Sequence, residues 1–403
     1  MKTTPPPSSA TRQRGVSLWT LALLLSALVA GCAAPAPAAR TDEVAFDEAV
    51  AAATDNLMAQ TQQLPAFMAK LTNRAVVIDP MFDNPSGQQT ALTRLLEERV
   101  TSRLRGAQFE VLPFQPASLS KAQYLLTGTL TRVLAAKTGA RAPFQIDLAL
   151  TDTKTRNVVA QSSARARDDN LDTTPTPYYR DSPILVKDKV VEGYIRTSAT
   201  PPGQPADPAY FERVTTAATI NEATQLYNNG KYQDAHDLYK TALATPSGEQ
   251  MRTLNGIYLT SWKLGRNTEA EQAFSKVVEH GIANKNLGVK FLFNPNSTDF
   301  WSDPKVSGPY ALWLRQIARQ SANAKVCMNV VGHTSRTGSE TYNDKLSAQR
   351  ATAIRQKLTT EAPELAPRTK ANGVGFRENI IGTGTDDASD ALDRRVEFKI
   401  VGC

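Results

Sequence analysis

The stretch from Lys325 to Ala351 reads KVCMNVVGHTSRTGSETYNDKLSAQRA, and its two halves have different hydrophobic periods. In the first half apolar residues alternate up to Gly332, which predicts a β-strand. In the second half they recur at helical spacing from about Glu340 to Thr360, and Pro363 then breaks the pattern. The stretch therefore predicts a strand followed by a long α-helix.

Arg350 interrupts the apolar face of this predicted helix. On a 3.6-residue wheel Leu346, Arg350 and Ile354 fall on one stripe, with Tyr342 beside it. An inward guanidinium needs a partner, and its planar fork of donors matches a carboxylate in two hydrogen bonds. The pattern indicates a carboxylate site. The alternatives are an arginine that extends to solvent or one that pairs with an internal acid.

The flanking segments add further elements to this unit. Strands are predicted at Val289–Phe293 and Arg394–Val401, and a helix at Pro309–Arg319. The motifs along these elements are, in order, Gly332-His333-Thr334, Gly338, Tyr342-Asn343, Leu346 to Ala351 and Asp393 to Phe398. The series resembles the OmpA-like peptidoglycan-binding domain over residues 287–403, which implies a mixed sheet with helices on one face.

The resemblance implies a noncovalent site for peptidoglycan. In this family the arginine at the place of Arg350 binds the diaminopimelate carboxylate of the wall's stem peptide. The implied peptidoglycan-binding residues are Gly332, His333, Thr334, Ser335, Asn343, Leu346 and Arg350. His333 is expected to pack or to form a hydrogen bond within the motif rather than to catalyse.

Ser335 departs from the family pattern. The family usually has an aspartate at this place, fifteen residues before Arg350, and that carboxylate contacts the ligand's amino group. A charge-assisted hydrogen bond contributes about 1.5 to 3 kcal/mol against about 1 for a neutral one, so we expect roughly tenfold weaker binding. Asp344 or Asp386 could compensate. The alternative is a degenerate domain that has lost wall binding.

Two cysteines fall on the same predicted sheet face. Alternation places Cys327 opposite Met328 and Val330, and places Cys403 opposite the apolar face of the last strand. In the OmpA-like fold the last strand lies antiparallel beside the one that contains Cys327, which implies a disulfide with Cα atoms within about 7 Å. Two free thiols are the alternative.

The amino terminus carries an export signal. A basic leader precedes the apolar run Leu18–Ala30, which is shorter than the ~20 residues that span a bilayer. The run ends in Leu28-Val29-Ala30-Gly31-Cys32 and resembles the bacterial lipoprotein box, so residues 1–31 are expected to be removed and Cys32 to be acylated. Ala33 then implies sorting to the outer membrane, facing the periplasm. An ordinary secretion signal with an accidental cysteine is the alternative.

Residues 32–64 are expected to provide the lipid anchor, a short linker and a helix, and residues 65–170 an α/β domain. The predicted helices are Asp42–Gln63 and Thr90–Leu104, and the predicted strands are Ala75–Ile78, Gln108–Leu112, Tyr124–Leu134, Phe144–Thr151 and Asn157–Ala164. Their order resembles outer-membrane lipoproteins of the curli-secretion and penicillin-binding-protein-activator type. The resemblance implies a domain that docks envelope proteins; a structural domain is the alternative.

Residues 171–208 are rich in Asp, Thr and Pro and are predicted to form a loop and linker. An internal repeat follows in residues 209–286. Tyr227, Gly230, Ala235 and Tyr239 recur 35 residues later as Trp262, Gly265, Ala270 and Phe274, which resembles the tetratricopeptide repeat. About three such repeats are normally needed for an array that is stable by itself, so these two are expected to pack on a neighbouring domain. We interpret the helices as a spacer; a groove for a partner peptide is the alternative.

Composition and charge exclude several classes of protein. The 403 residues are 41% hydrophobic and 21% charged, which disfavours disordered and multi-span membrane chains. Three basic and no acidic residues lie in the leader, so the net charge of +7 falls to +4 in the mature chain, and nucleic acid is not expected as a partner. His236, His280 and His333 are isolated in sequence, and neither a P-loop nor a Gly-x-Ser-x-Gly motif occurs. No enzymatic activity, cofactor or metal is expected.

The sequence therefore predicts a multidomain α+β protein with an N-terminal α/β domain, a central α-helical repeat pair and a C-terminal OmpA-like domain. The predicted function is a noncovalent link between the outer membrane and peptidoglycan. The runner-up is an assembly or regulatory factor whose N-terminal domain and repeats dock a wall synthase or a secretion complex.

Overall fold

The computed structural model describes residues 42–61, 74–107, 109–133, 142–185, 187–294, 296–380 and 392–403. The strands are β1 (Glu43–Val44), β2 (Arg74–Ile78), β3 (Phe82–Asp83), β4 (Phe109–Leu112), β5 (Tyr124–Arg132), β6 (Phe144–Asp152), β7 (Val158–Ala166), β8 (Gly288–Val289), β9 (Cys327–Gly332), β10 (Thr369–Gly373) and β11 (Val396–Val401). Cys32, the predicted lipid attachment site, lies outside the described residues.

The helices are α1 (Phe46–Thr61), α2 (Ala91–Arg105), α3 (Pro116–Leu119), α4 (Pro177–Asp181), α5 (Lys189–Ser198), α6 (Pro208–Phe211), α7 (Val214–Asn228), α8 (Tyr232–Leu243), α9 (Met251–Lys263), α10 (Asn267–Ala283), α11 (Pro304–Ser307), α12 (Tyr310–Asn323) and α13 (Glu340–Glu361), with a 3-10 helix at Pro363–Arg368. Within the described residues, no helix combines the length and apolar character needed to cross a membrane.

A mixed sheet of seven described strands forms the N-terminal domain. Its order is β1-β7-β6-β5-β2-β4, and β3 pairs with β5. The strands β5, β6 and β7 form an antiparallel meander, while β2 lies parallel between β5 and β4. Thr90 is the N-cap of helix α2: its hydroxyl accepts the backbone N–H of Thr93, while the Thr93 hydroxyl accepts the N–H of Thr90. The two helices and five strands predicted here are present, with ends that differ by a few residues.

The segment 171–208 was predicted as a loop and linker, and the structure corrects this. It contains α4 and α5, and the side chains of Tyr178, Tyr179 and Tyr194 within it are buried. The prediction was wrong because it took the abundant proline as a sign of a loop. Pro177 lies in the first turn of α4, where a backbone N–H makes no hydrogen bond within the helix, so proline is tolerated there. These tyrosines make the segment part of the core.

The helices α7 to α10 form two helix–turn–helix pairs. Gly230 lies between α7 and α8 with φ +74°, and Gly265 lies between α9 and α10 with φ +71°, a conformation that glycine adopts without steric cost. Ala235 and Ala270 occupy equivalent places in the second helix of each pair and are fully buried. The helix pairs and their period are therefore present, whereas their assignment as tetratricopeptide repeats stays a prediction.

A mixed sheet of four described strands, in the order β10-β9-β11-β8, lies in the C-terminal domain. Strand β11 is antiparallel to both β9 and β8, and β10 is parallel to β9. The predicted strand Val289–Phe293 is shorter than expected, because regular pairing ends at Val289 and Phe293 forms a single bridge to Phe300. Strand β10 was not predicted, since its sequence TKANG has neither apolar alternation nor β-branched enrichment.

A disulfide links the end of the chain to β9. Val401 pairs with Cys327 in the antiparallel register, and Cys403 lies two residues beyond. The Cα atoms of Cys327 and Cys403 are 5.2 Å apart, inside the 7 Å expected, and the two Sγ atoms are bonded. The bond holds the last strand on the sheet.

The helix pairs and the C-terminal domain share one core. Trp313 of α12 donates its indole N–H to the hydroxyl of Tyr258 in α9 at 2.7 Å and stacks on Phe274 of α10. On the other side, Tyr210 of α6 donates to the buried carboxylate of Asp79, after β2, at 2.6 Å. Residues 39–403 accordingly form one compact unit rather than modules separated by a linker.

Candidate functional site

Two facing glycines bring α13 down onto the sheet at the predicted site. Gly332 at the end of β9 lies opposite Gly373 of β10. A Cβ on Gly332 would lie 2.1 Å from the carbonyl oxygen of Ser347, and a Cβ on Gly373 would lie 2.2 Å from the Ser347 hydroxyl. Any larger residue would therefore push the helix away.

The turn after β9 carries His333, Thr334 and Ser335, and backbone hydrogen bonds hold it on both sides. The N–H of His333 donates to the carbonyl of Arg395 at 3.0 Å, and the N–H of Thr334 donates to the carbonyl of Gly375 at 2.9 Å. The side chains predicted for the site are all buried, namely those of His333, Thr334, Ser335, Asn343, Leu346 and Arg350.

The start of α13 closes the other end of this turn. Ser339 is the N-cap, and its hydroxyl accepts the backbone N–H of Tyr342 at 3.3 Å. The side-chain amide of Asn343 donates to the carbonyls of Thr337 and Ser339 at 2.9 and 3.1 Å. Asn343 therefore fixes the loop that precedes the helix, and Leu346 lies one turn further along the same buried face.

Arg350 lies one turn beyond Ser347 and is 4% exposed. Its Nε donates to the carbonyl oxygen of Ser297 at 3.2 Å, and its Nη2 donates to that of Asn294 at 3.3 Å. The guanidinium lies 4.8 Å from the ring centroid of Phe293, within the range of a cation–π contact. The side chain points inward and does not extend to solvent.

The loop that follows Phe293 completes the site, and sequence reasoning missed it. It supplies the carbonyls of Asn294 and Ser297, and the Asn296 side-chain oxygen accepts the hydroxyl of Tyr342 at 2.6 Å. Main-chain acceptors leave no side-chain pattern in a sequence. A signal was available only in the aromatic residues Phe293 and Phe300, whose rings pack 5.5 Å apart and close the loop.

Asp344, one of the two acids that could replace the charge absent at Ser335, is already engaged in an ion pair. Asp344 accepts a hydrogen bond from the guanidinium of Arg377 at 3.0 Å, and Glu340 shares the same guanidinium at 2.9 Å. Asp344 is thus already paired on the surface. Asp386 lies outside the described residues, so compensation at this place stays a prediction.

Comparison with known proteins supports this reading of the domain. Residues 292–391 match the family model described as the OmpA family. The C-terminal domain is OmpA-like. Outer membrane porin F of Pseudomonas aeruginosa is 37% identical over 71 residues, which are 18% of this chain and 20% of that protein. The chain thus spans about a fifth of the length of this curated relative.

Solved structures also resemble the OmpA-like domain. The peptidoglycan-associated lipoprotein from Burkholderia pseudomallei has 23% sequence identity and a TM-score of 0.24, and the match covers 28% of this chain and 88% of that one. The cell wall anchor of the T6SS from Pseudomonas aeruginosa has 24% identity and a TM-score of 0.24, covering 29% of this chain and 80% of that one.

His333 of the OmpA-like domain is enclosed beside a charged cluster. Within the described residues neither of its ring nitrogens has a hydrogen-bond partner, and Nε2 lies 3.7 Å from a carboxylate oxygen of Glu397. Burial, together with the nearby Arg395, lowers the pKa of His333 to about 3, so the ring is neutral at physiological pH.

A metal ion is not favoured at this cluster. His333, Glu378 and Glu397 each offer one atom that could bind a metal ion, and these three atoms lie within 4.8 Å of one another. However, Arg395 donates to Glu397 at 2.6 Å, and Lys399 donates to Glu378 at 2.9 Å. A divalent cation would therefore meet two cations that already neutralise its carboxylate ligands.

The depressed pKa of His333 predicts a loss of stability in acid. Since the folded pKa of about 3 lies below the ordinary value of 6.5, the unfolded chain binds a proton first as pH falls, and stability is lost between pH 6.5 and 3. We expect His333→Gln to show a smaller fall in the free energy of unfolding between pH 7 and pH 4 than the wild type, measured by denaturant titration.

The matched control for this measurement is His280→Gln in α10, outside the domain. Burial raises the pKa of Asp79 to about 7, which gives the free energy of unfolding a pH dependence of the opposite sign. Asp79 is present in all three chains, so its contribution does not distinguish them. An equal fall in the wild type and His333→Gln would contradict the prediction.

Proposed function

We propose that this chain is an outer-membrane lipoprotein that binds peptidoglycan noncovalently through its OmpA-like domain and links the membrane to the wall without catalysis. The observation that carries the proposal is the buried guanidinium of Arg350 at the motif position of an OmpA-like domain. OmpA-like domains bind peptidoglycan, whose diaminopimelate residue offers a carboxylate that matches the planar fork of a guanidinium.

Two contacts of Arg350 support the binding of such a ligand. The hydrogen bonds to the carbonyls of Asn294 and Ser297 are 3.2 to 3.3 Å long and neutral at the acceptor. A carboxylate forms shorter bonds to guanidinium that are roughly twice as strong. The stem-peptide carboxylate would therefore bind the guanidinium more strongly than these two carbonyls do.

The helix pairs fit the role of a rigid spacer. Trp313 and Tyr258 join them to the OmpA-like domain in a shared core, and Arg315 of α12 pairs with Glu271 of α10 at 2.8 Å. Since these contacts cover one side of the second helix pair, we propose the spacer over an open peptide groove. A lipid at Cys32 and a wall site on the same body raise each other's effective concentration.

Lipid attachment at Cys32 is the first part of the proposal to test. We expect mass spectrometry of the mature protein to find an acylated Cys32 as the first residue, and Cys32→Ser to leave the membrane fraction. Cys403→Ser, which breaks the disulfide with Cys327 but leaves Cys32 in place, should keep the lipid. A free thiol at Cys32, or cleavage at another bond, would refute the anchor.

Wall binding at Arg350 is tested with purified sacculi and the full chain, since the OmpA-like domain shares its core with the helix pairs. We expect Arg350→Ala to bind sacculi roughly ten- to a hundredfold more weakly, because the pair of charge-assisted hydrogen bonds is lost. Arg350→Lys should recover little, since an ammonium lacks the planar fork.

The matched control for this experiment is Arg319→Ala, an exposed arginine of α12. Thermal unfolding of each variant separates lost binding from lost structure. If Arg350→Ala is folded and sediments with sacculi as the wild type does, the arginine-centred site is excluded.

A substitution at Ser335 is expected to strengthen ligand binding, whereas the substitutions at Arg350 weaken it. Because the family's aspartate contacts the ligand's amino group, Ser335→Asp should tighten binding to a stem peptide with a free diaminopimelate amine by roughly tenfold. Ser335→Asn, which adds similar volume without charge, is the control. Titration calorimetry with the soluble peptide measures both, and equal affinities for all three chains would show that position 335 does not face the amine.

A further inference from the structure

The carboxylate of Asp79 is buried where the amino-terminal sheet meets the helices that follow it. Asp79 comes directly after β2 and is 3% exposed. Tyr210 of α6 donates its hydroxyl to Oδ2 of Asp79 at 2.6 Å, and among the described residues no other hydrogen-bond donor to this carboxylate is found. A carboxylate with a single donor is costly to bury as an anion and much less costly to bury in its protonated form.

Helices α5 and α6 are held together as one unit. Asp207 caps the start of α6, and its second carboxylate oxygen accepts the Nε of Arg196 in α5 at 2.9 Å. Gly193 of α5 lies so close to Asp207 that a Cβ at this position would come within 2.5 Å of the carboxylate. The hydrogen bond from Tyr210 to Asp79 therefore holds both helices to the sheet.

A second tyrosine, Tyr194 of α5, joins the same unit to β5. Its hydroxyl accepts the N–H of Gly128 at 2.8 Å and lies 3.3 Å from the carbonyl oxygen of Asp79. Its ring packs edge-on against Phe82 at 4.9 Å and against Tyr210 at 5.2 Å. These contacts surround Asp79 with aromatic rings and uncharged groups, which solvate a negative charge poorly.

Two charged side chains act on Asp79 from neighbouring helices. Arg252 of α9 is 6% exposed, and its Nε has no hydrogen-bond partner. Its positive charge favours the ionised form of Asp79, whereas Glu97 opposes ionisation. Burial outweighs the hydrogen bond and the charge of Arg252, and it raises the pKa of Asp79 to about 7. The ionisable groups that face Asp79 are Glu97 of α2, Tyr179 of α4, Tyr194 of α5, Tyr210 of α6 and Arg252 of α9.

We propose that the contact of Asp79 with α5 and α6 is a proton-controlled joint, closed while Asp79 carries a proton and loosened when it ionises. Burial raises the pKa of Tyr210 well above its ordinary value, so the tyrosine keeps its own proton and the carboxyl group is the one that titrates. Since α6 leads directly into α7, a loosened joint lets the amino-terminal sheet move against the helix pairs. The inference does not depend on wall binding.

The direction of the effect follows from the linkage between proton binding and opening. In the open joint water reaches Asp79 and its pKa returns towards 3.8, so between about pH 4 and pH 7 the closed form binds one proton more. Closure is favoured at the acid end of this window and is weakened as pH rises through it. The opening equilibrium should therefore rise by roughly fiftyfold between pH 5 and pH 7 and level off above.

Hydrogen–deuterium exchange of the full chain between pH 5 and pH 8, corrected for the intrinsic pH dependence of exchange, measures this opening. We expect the protection of peptides from α5 and α6 to fall in the wild type by the factor given above. Asp79→Asn, which keeps an acceptor for Tyr210 but cannot ionise, should show no such fall. Asp234→Asn, at an exposed carboxylate of α8, is the matched control and should behave as the wild type does.

A second variant separates a titrating carboxyl group from a merely structural one. Tyr210→Phe removes the hydrogen bond that favours the ionised form, so the pH at which protection levels off should rise by about one unit. Infrared difference spectroscopy of the wild type should show a buried carboxyl band that titrates near pH 7 and is absent from Asp79→Asn. Protection that does not change with pH in the wild type, a fall that persists in Asp79→Asn, or a wild type without the titrating band would each overturn the proposal.

Discussion

The close approach of α13 to the sheet is the constraint on which the C-terminal domain depends. It requires Gly332 and Gly373 to face each other across the β9–β10 pair, because the backbone and hydroxyl of Ser347 occupy the space where their Cβ atoms would lie. The Ser347 hydroxyl also accepts the N–H of Gly375 at 3.0 Å, which locks the helix to the end of the sheet. Arg350 follows one turn later, so the same contact sets the depth at which its guanidinium lies.

A second constraint joins this domain to the rest of the chain. The buried side chains of Tyr258, Phe274 and Trp313 form one aromatic cluster across two modules. Asp188 forms another joint, between α5 and α9. One of its carboxylate oxygens caps α5, and the other accepts the N–H of Met251 at the start of α9. With such joints, the distance between the amino-terminal sheet and Arg350 is set by packing and not by chain flexibility.

Local patterns in the sequence were sufficient to predict helices and strands with a strong hydrophobic period. They were insufficient for segments whose structure depends on tertiary contacts. Helix α13 and strand β9 could be predicted because their apolar residues repeat at 3.6 and 2.0, and the inward position of Arg350 followed from the same wheel. The short β10 could not, since its residues are strand-forming only beside β9. The tyrosines of residues 171–208 were hidden in a proline-rich composition, although their burial makes that segment part of the core. The carbonyls of Asn294 and Ser297 have no side-chain signature, so these acceptors of Arg350 could not be predicted from the sequence.

The electrostatic character of the proposed wall site follows from these contacts. The guanidinium of Arg350 is buried, donates to the carbonyls of Asn294 and Ser297 and lies on the face of Phe293, and Ser335 carries no charge. A site of this kind recognises an anion through a few hydrogen bonds and pays a desolvation cost for each group it buries, so its affinity for a small ligand is modest. In the proposed membrane-anchored link, modest affinity at this site would suffice, because the effective concentration of the wall would replace part of the binding energy.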